Sequence, residues 1–429
     1  MKEGIYLYRE IVDRLALWKD RVDRKPLLLT GAKGVGKTTV AAMFAESHYK
    51  KRIVFDLSEE TGGFDFGETL NRHKFDEVIL GYTQEKESKE DILLIFDHLN
   101  KKNVGKNSLE DIVKFIIRDL MDYDICLITD LDEKKLFSGG VLAWLDVYEV
   151  FPISLKEFFV INGNEELLLA VQNQMKCELS EQQREKLRQY VKVYFITGGM
   201  PEVLNTYMET RSLEKVGQAR RKSFESYLSE IEKISDEKFR KKVLELFQNV
   251  AVQLDRKDKS FRSGFFRFSA RRREDEAAIA WLTDRKMLIK VEKYQTDTEK
   301  KRYKLYYNDI AMLTYAYGIQ FQDLLPEQYP YGLRNHALFE MFILQQILVS
   351  DLDRHIYYWR DEAGTEDWFL CGDGKRMMPV RPDYGTGKEK ALREYRRKYH
   401  PDLVVTVTGE EVEIDESAIK IPSYAVWNL

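Results

Sequence analysis

The feature that most constrains this chain is a glycine-rich stretch directly after an apolar run. Leu27-Leu28-Leu29-Thr30 predicts a buried strand, and it leads into Gly31-Ala32-Lys33-Gly34-Val35-Gly36-Lys37-Thr38. The spacing is G-x-x-x-x-G-K-[ST], in which backbone N–H groups turn inward around two phosphates. Glycines are required because the backbone approaches the ligand closely, in conformations that other residues avoid. The alternative is a glycine-rich turn that holds no ligand.

The residues after the glycines supply the charge and the hydroxyl that such a site needs. Lys37 is expected to reach the β- and γ-phosphates, and Thr38 is expected to place its hydroxyl on Mg²⁺. The segment that begins at Thr39 has a helical pattern, so its N-terminal dipole also favours an anion. The sequence therefore predicts an ATP and Mg²⁺ site lined by residues 31–39.

The first 150 residues alternate strands with helices. Apolar spacing predicts an amphipathic helix from Ile5 to Val22. The predicted strands are Pro26–Thr30, Arg52–Leu57, Ile92–Asp97 and Asp124–Thr129. Continuous apolar runs that end in a polar residue are typical of buried parallel strands whose C-terminal ends carry the site. The pattern predicts an α/β fold around a parallel sheet.

Polar residues at two of these strand ends are the candidates for chemistry. Asp97 is placed to hold a Mg²⁺-bound water, although an Asp can also merely end a strand. His98 stands where many ATPases have a glutamate that orients the attacking water, and it could equally have no catalytic role. Thr129 could face the γ-phosphate or cap the loop that follows. The predicted catalytic set is Asp97, His98 and Thr129, and the predicted Mg²⁺ ligands are Thr38 and Asp97.

The rest of the chain predicts helices first and strands later. Residues 152–236 have a helical pattern, broken at Gly198-Gly199-Met200-Pro201. Residues 237–323 predict helices followed by a two-stranded ribbon, an order that suggests a winged helix. Residues 324–429 predict an α+β unit. With the loop-bearing region at 1–151, the chain divides into four predicted domains.

Four landmarks, together with the loop, make the chain resemble a known family. They are Lys25-Pro26-Leu27, Val150-Phe151-Pro152-Ile153-Ser154-Leu155-Lys156-Glu157-Phe158, Gly198-Gly199-Met200-Pro201-Glu202, and Ile356-Tyr357-Tyr358-Trp359-Arg360 followed by Glu366-Asp367-Trp368-Phe369. They are similar to motifs of a large prokaryotic family of AAA-type ATPases that carry a winged helix and a C-terminal domain resembling restriction endonucleases. The resemblance covers nearly the whole chain. It implies a five-stranded parallel ATPase sheet and a helical lid over residues 152–236.

Departures from the family pattern bear on activity. Where the family has Asp-Glu after its third strand, this chain has Asp97-His98, and where the family has Thr-Gly-Ser after its fourth strand, this chain has Thr129-Asp130-Leu131. A family arginine that is a candidate for sensing a neighbour's γ-phosphate is replaced by Trp144. Loss of an arginine supplied in trans can lower the rate by about 10³–10⁵. We therefore expect ATP binding with weak or absent hydrolysis.

The C-terminal domain departs from its family pattern in the same way. Restriction-like nucleases hold Mg²⁺ with an acid on a helix, an Asp on one strand and Glu-x-Lys on the next. Glu340 and Asp367 fit the first two places. Pro379–Asp383 contains no Glu-x-Lys, and Arg381 is expected in the place of the acid. The prediction is a degenerate, inactive nuclease domain that serves as a structural or interaction module.

Candidate partners follow from local charge, because a net charge of −4 gives no global field. A basic run with interleaved phenylalanines over residues 256–273 could bind DNA, but acidic residues follow at once and a solvated helix face explains the run as well. A second basic run, Arg393 to Lys398, has the same two interpretations. The alternative function is a nucleotide-switched module that binds DNA or protein, and a homo-oligomer stays open.

Compartment is predicted from what the sequence lacks. It contains no apolar run as long as a membrane span, and its first residues have no signal-peptide pattern. Cys126, Cys177 and Cys371 lie far apart and lack metal-ligand spacing. We therefore expect a cytoplasmic protein without membrane association.

Overall fold

The computed structural model describes residues 7–58, 64–83, 88–100, 103–173, 179–262, 272–294, 302–324, 336–350, 355–361, 367–373, 376–383, 389–408, 412–415 and 417–428. The chain forms two compact units. The first comprises Met1–Phe151 with Asp284–Met287, and the second comprises Pro152–Thr283 with Leu288–Leu429.

The first unit is built on a parallel sheet with helices. Its strands are β1 (Leu27–Thr30), β2 (Lys51–Asp56), β3 (Ile92–Asp97), β4 (Asn103–Val104), β5 (Asn107–Ser108), β6 (Asp124–Ile128) and β7 (Asp146–Glu149). Its helices are α1 (Glu10–Lys19), α2 (Lys37–His48), α3 (Arg72–Tyr82), α4 (Leu109–Asp119), α5 (Glu133–Leu136) and α6 (Gly139–Leu142).

Five strands form the main sheet in the order β2-β3-β6-β1-β7, and every neighbouring pair is parallel. The α/β prediction is confirmed. The four strands predicted from apolar runs lie within one or two residues of β1, β2, β3 and β6. Strand β7 escaped the apolar pattern because it is an edge strand whose residues are half-buried or exposed in alternation. An edge strand has only one neighbour and does not need a continuous apolar run.

Buried aromatic rings pack on one face of this sheet. The rings of Phe55 and Phe96 stack with centroids 5.2 Å apart, and Phe75 and Phe66 pack against them. Leu28 of β1 is fully buried in the same cluster. Because β1, β3 and β6 are parallel neighbours, their C-terminal ends lie at one edge of the sheet. That edge carries the candidate nucleotide site.

The second unit begins with helices and ends with a mixed sheet. Its helices are α7 (Leu155–Ile161), α8 (Glu165–Gln172), α9 (Glu181–Thr197), α10 (Pro201–Thr210), α11 (Leu213–Glu232), α12 (Glu237–Gln248), α13 (Val250–Leu254), α14 (Arg272–Asp284), α15 (Ile310–Ala316), α16 (His336–Val349) and α17 (Glu389–Tyr399). Its strands are β8 (Leu288–Lys293), β9 (Tyr303–Tyr307), β10 (His355–Arg360), β11 (Asp367–Gly372), β12 (Met377–Pro382), β13 (Val404–Thr408), β14 (Glu413–Asp415) and β15 (Ala418–Pro422).

The predicted ribbon does not stand alone. Strands β8 and β9 pair antiparallel, and β8 also pairs in parallel with β10, so that Tyr357 lies opposite Glu292. The result is one eight-stranded sheet in the order β14-β15-β13-β12-β11-β10-β8-β9. The free edge of a two-stranded ribbon presents unpaired backbone groups, and β10 satisfies them. A boundary at residue 323 therefore does not separate two sheets.

Two of the sequence landmarks are helix starts. Ser154 caps α7: its hydroxyl accepts from the N–H of Glu157 at 3.1 Å, and the Glu157 carboxylate accepts from the N–H of Ser154 at 2.7 Å. This is a capping box, and it explains the Ser-Leu-Lys-Glu spacing. Pro201 is the first residue of α10, where its missing N–H costs nothing.

The glycine pair before α10 forms a tight junction. Gly198 has a φ of 60°, and a Cβ on it would lie 2.0 Å from Oδ1 of Asp309. The Asp309 carboxylate accepts from the N–H of Gly199 at 2.7 Å and from the Gln345 amide at 3.0 Å. Its other oxygen caps α15 by accepting from the N–H of Ala311 at 2.8 Å. Burial raises the pKa of Asp309 to about 6, although these hydrogen bonds oppose the shift.

Candidate functional site

The glycine-rich loop has the backbone conformation that its sequence predicts. Gly31, Gly34 and Gly36 have φ values of 147°, 84° and 93°, in the region that favours glycine. A Cβ on Gly31 would lie 2.3 Å from the carbonyl oxygen of Val150. Gly36 is the N-cap of the twelve-residue helix α2. The loop is thus a close-packed turn with the N-terminus of a helix directed at it, the usual arrangement for a phosphate.

Lys37 is buried in the loop. Its Nζ atom donates to the carbonyl oxygens of Gly31 at 3.0 Å and Ala32 at 2.8 Å. It also lies 2.5 Å from Oδ1 of Asp130, which comes after β6. The ammonium group therefore stands at the centre of the loop with an acid beside it.

Two predicted Mg²⁺ ligands meet at the sheet edge. The hydroxyl of Thr38 donates to Oδ2 of Asp97 at 2.7 Å, across 59 residues of sequence. Asp97 is buried at the end of β3, and its other oxygen accepts from the N–H of His98 at 2.7 Å. The geometry brings together a hydroxyl and a carboxylate, the oxygen ligands that Mg²⁺ takes.

His98 points toward a neighbouring strand. It has a φ of 60°, and its Nδ1 lies 3.1 Å from Oδ1 of Asp56, the last residue of β2. The imidazole is half exposed. Asp56 is an acid at this edge that no sequence pattern marked, since the predicted strand ran on to Leu57 whereas β2 ends at Asp56.

Thr129 is buried and its hydroxyl is engaged within the protein. It donates to the carbonyl oxygen of Leu99 at 2.9 Å, lies 3.1 Å from Oδ1 of Asn100, and accepts from the N–H of Leu131 at 3.1 Å. The last contact is the loop cap that the sequence left open as the alternative to a phosphate contact. Asn100 connects the ends of β3 and β6, and no sequence motif marks it.

Arg9, which lies before α1, stabilises the glycine-rich loop. Arg9 is buried, and its guanidinium donates to the carbonyl oxygen of Val35 at 2.8 Å and to that of Phe151 at 2.7 Å. No sequence motif marks this arginine. Trp144 is 59 % exposed in the first unit.

The residues present fit a Mg²⁺–nucleotide. The loop backbone and Lys37 could hold phosphates, Thr38 and Asp97 could hold Mg²⁺, and no side chain could replace Gly31 without striking backbone. The fit rests on the chemistry of this donor set. Lys33, Gly34 and Thr39 lie at the surface of the loop, half-buried or exposed, within reach of a ligand from solvent.

The second unit contains a separate charged cluster, built around Lys304. This fully buried lysine lies 2.7 Å from Oε1 of Glu340 and 3.2 Å from Oδ2 of Asp367. Lys259 and the hydroxyl of Tyr306 also bond to Glu340. The two acids that sequence comparison singled out are thus brought together, with ammonium groups on them. The sequence argument missed Lys304 because no motif marks it.

The strand register corrects the place assigned to Arg381. Phe369 lies opposite Val380, so Val380 and Pro382 share the sheet face of Asp367. Arg381 lies on the other face, opposite Thr406 of β13. Val380 and Pro382, the residues of β12 on the face of Asp367, carry no side chain that binds a metal. Among the described residues, no three His, Cys, Asp or Glu side chains are grouped so as to hold a metal ion.

The basic run at 256–273 is described only in part, since residues 263–271 lie outside the described ranges. In the described part, Lys259 pairs with Glu340 and Arg262 pairs with Asp258 at 2.5 Å. The ring of Phe261 stacks on Tyr303 with centroids 5.5 Å apart. These groups serve internal contacts. On α17, by contrast, Arg393, Arg397 and Lys398 are exposed.

Comparison with known proteins gives a partial domain match and distant likenesses of fold. Residues 188–323 match a domain of unknown function, DUF8612. No curated protein matches the sequence. The fold is similar to the Walker-type ATPase PABY2304 of Pyrococcus abyssi, with a TM-score of 0.44 and 12 % identity over 73 % of this chain and 96 % of that one.

Two further structures show the same kind of distant likeness. The Aeropyrum pernix ORC1 protein, solved in complex with DNA, gives a TM-score of 0.31 and 12 % identity over 73 % of this chain and 92 % of that one. The Thermotoga maritima RuvB Holliday junction branch migration motor gives 0.28 and 16 % identity over 50 % and 69 %. Within the part of the chain that the structure describes, no helix is both long and apolar enough to cross a membrane.

Proposed function

We propose that the first unit binds ATP with Mg²⁺ through residues 31–39 and hydrolyses it slowly or not at all. One observation carries the proposal: the Thr38 hydroxyl and the Asp97 carboxylate meet at 2.7 Å beside the loop lysine, although 59 residues separate them in sequence. A glycine-rich turn without a ligand has no need of this pair.

Each residue has a role that follows from its chemistry. The loop amides and Lys37 hold the phosphates, while Thr38 and Asp97 hold the metal. Bound Mg²⁺ would neutralise phosphate charge. The Arg9 guanidinium keeps the loop in shape through the carbonyl of Val35. Asp97 has a second role, since its Oδ1 atom accepts from the N–H of His98 and holds the backbone there.

Weak hydrolysis is supported by the groups around the site. His98 interacts with Asp56 rather than with the loop, and the hydroxyl of Thr129 donates to the backbone carbonyl of Leu99. The Thr129 hydroxyl is therefore not free to orient a water molecule, and the Nδ1 atom of His98 faces Asp56. A protonated imidazole cannot accept a proton from water, whereas the ionised glutamate that the resembled family has at this position can.

Nucleotide affinity tests the proposal. Titration of the full chain with Mg²⁺–ATP should show binding that Lys37→Ala lowers by at least about 100-fold, since a charge-assisted contact to phosphate is lost. Lys50→Ala is a matched control: Lys50 is an exposed lysine that pairs with Asp91 at 2.9 Å, just before β2. It should bind as the wild type does. Equal, undetectable binding in the wild type and Lys37→Ala would refute the proposal.

A second candidate function, a nucleotide-switched binding module, is favoured by two contacts of the segment Asp284–Met287. The N–H of Asp132, in the loop after β6, donates to the carbonyl oxygen of Asp284 at 2.7 Å. Lys286 pairs with Glu149, the last residue of β7, at 2.9 Å. That segment belongs to the first unit, and the chain continues from it into β8 of the second. A nucleotide that moves the loop after β6 would therefore also displace the segment Asp284–Met287.

The partner in this second function is proposed to be DNA or protein. We also propose a helical lid at 152–236 and a winged-helix-like part at 237–323, whose strands join the sheet of a restriction-endonuclease-like part at 324–429. That last part is proposed to be inactive as a nuclease. Salt-titrated DNA binding with and without ATP tests the DNA version, because phosphate contacts weaken steeply with salt. Absence of binding at low salt in both states would remove it and leave a protein partner.

A further inference from the structure

The loop lysine, Lys37, contacts an acid, Asp130, that does not belong to the glycine-rich loop. Oδ1 of Asp130 lies 2.5 Å from Nζ of Lys37. The Lys37 side chain is 5 % exposed and that of Asp130 is 28 % exposed, so the pair sits at the mouth of the loop with its acid on the outside. Asp130 is the first residue after Thr129, in the position where the family pattern has glycine.

The Asp130 carboxylate is held in this position by neighbours. The N–H of Asp130 donates to Oδ1 of Asn100 at 2.9 Å, and the Asn100 amide donates back to Oδ2 of Asp130 at 3.1 Å. The hydroxyl of Thr129 supports the same asparagine from the other side. Asp130 is thus fixed on the lysine by a network that joins the ends of β3 and β6.

The donor capacity of Lys37 is used up in this arrangement. An ammonium group has three N–H donors. Here they face the carbonyl oxygens of Gly31 and Ala32 and the carboxylate of Asp130. A phosphate can bond to Lys37 only if it displaces one of the three. Asp130 is the partner that carries the same sign of charge as phosphate, so it is the one that an incoming phosphate repels.

We propose that Asp130 is a built-in competitor for the phosphate groups of the nucleotide and sets the affinity of the site. The inference rests on the proposed function, since it concerns the same loop. In the free protein Asp130 neutralises Lys37 and keeps the loop closed on itself. Nucleotide binding exchanges that carboxylate for phosphate oxygens and turns Asp130 out toward solvent, to which it is already partly exposed.

The test is nucleotide affinity after the charge of Asp130 is removed. Asp130→Asn keeps the shape and the Asn100 contacts but loses the charge, and Asp130→Ser removes the competitor altogether. Because hydrogen bonds to charged groups are worth about 1.5–3 kcal/mol, both variants should bind Mg²⁺–ATP and Mg²⁺–ADP about 10- to 100-fold more tightly than the wild type in calorimetric titration. ATP should also raise the melting temperature of the variants by more than it raises that of the wild type.

Asp132→Asn is the matched control, since Asp132 lies on the same loop but its side chain caps α5 by accepting from the N–H of Lys134. It should bind nucleotide as the wild type does. Unchanged or weaker binding in both Asp130 variants, with binding in the wild type that Lys37→Ala abolishes, would overturn this inference and leave the proposed function standing. Absence of nucleotide binding in the wild type and in both Asp130 variants would refute the two together.

Discussion

Two buried lysines of this chain rest against carboxylates, and they differ in how far water reaches those acids. Lys37 pairs with Asp130, whose side chain is 28 % exposed. Lys304 pairs with Glu340 and Asp367, whose side chains are 4 % and 12 % exposed. A pair at the protein surface can exchange one partner for a ligand at little cost, whereas a sealed pair cannot be opened without leaving a bare charge inside. The first cluster is therefore suited to binding, and the second is suited to holding the fold.

The charges of the sealed cluster support each other. Burial alone would lower the pKa of Lys304, but the charges of Glu340 and Asp367 outweigh it and hold that pKa above its ordinary value. Burial would raise the pKa of Glu340, but Lys259 and Lys304 hold it well below its ordinary range. Lys304 and Glu340 thus each favour the charged form of the other. Lys304 supplies within the fold the positive charge that a divalent cation supplies in a metal site.

The largest expected effect is on the sealed cluster. Lys304→Met removes the cation that lies between Glu340 and Asp367 and leaves each acid with a remaining cationic partner, Lys259 on Glu340 and Arg360 on Asp367. Breaking a buried pair in this way costs about 3–5 kcal/mol in the free energy of unfolding. Urea denaturation should show the loss, and a second change, Glu340→Gln, should recover part of it. Lys420→Met is a control, because Lys420 pairs with Glu413 in an exposed pair. If Lys304→Met were as stable as this control, the proposal that the Lys304 cluster holds the fold would be wrong.

A smaller effect on stability is expected at Asp309, a buried acid that accepts hydrogen bonds from neutral groups. Its pKa is raised to about 6 by burial, so the stability linked to its protonation is fully present below the unfolded pKa near 4 and is lost as pH rises through 6. A shift of this size corresponds to about 3 kcal/mol.

Asp309→Asn should remove that pH dependence between pH 4 and 6. It should also lower stability at pH 7 by about 1–3 kcal/mol, because an amide cannot accept from Gly199, Ala311 and Gln345 together. Unfolding free energies measured from pH 4 to 7 check both effects. An unchanged slope in the variant would mean that another group titrates.

The smallest expected effect concerns His98 at the open site. His98→Glu introduces a carboxylate that could accept a proton from water, but the backbone there has a φ of 60° and directs the side chain toward Asp56. A glutamate at this position would lie beside another acid and away from the loop, so ATP turnover should rise less than tenfold, well below the about 10²–10⁴ that a placed base contributes. Phosphate release at saturating ATP measures it, with Lys37→Ala as the blank. A rise of 100-fold would show that His98 alone limits hydrolysis.

Local sequence patterns predicted the helices, strands and loop of the site well, but not the contacts between their side chains. The loop, α2 and the strand ending in Asp97 all lie where spacing and apolar runs put them. Nothing local marks Arg9 as a brace of the loop or Asn100 as the link between two strands, because each acts on residues that are distant in sequence. The Arg381 prediction failed for a related reason: its side depends on the register of β12 against β11, and a shift of one residue reverses every side chain.

The sequence by itself determined the phosphate-type loop and the helix starts. These depend on the conformational freedom of Gly31, Gly34 and Gly36 and on the cap at Ser154, which act within a few residues. Only the tertiary structure decided which acid meets which lysine. The order β3-β6-β1 brings Asp130 to Lys37, and the packing of α16 on the sheet brings Glu340 to Lys304. Charge pairing is a property of distance, and distance between remote residues is set by the fold.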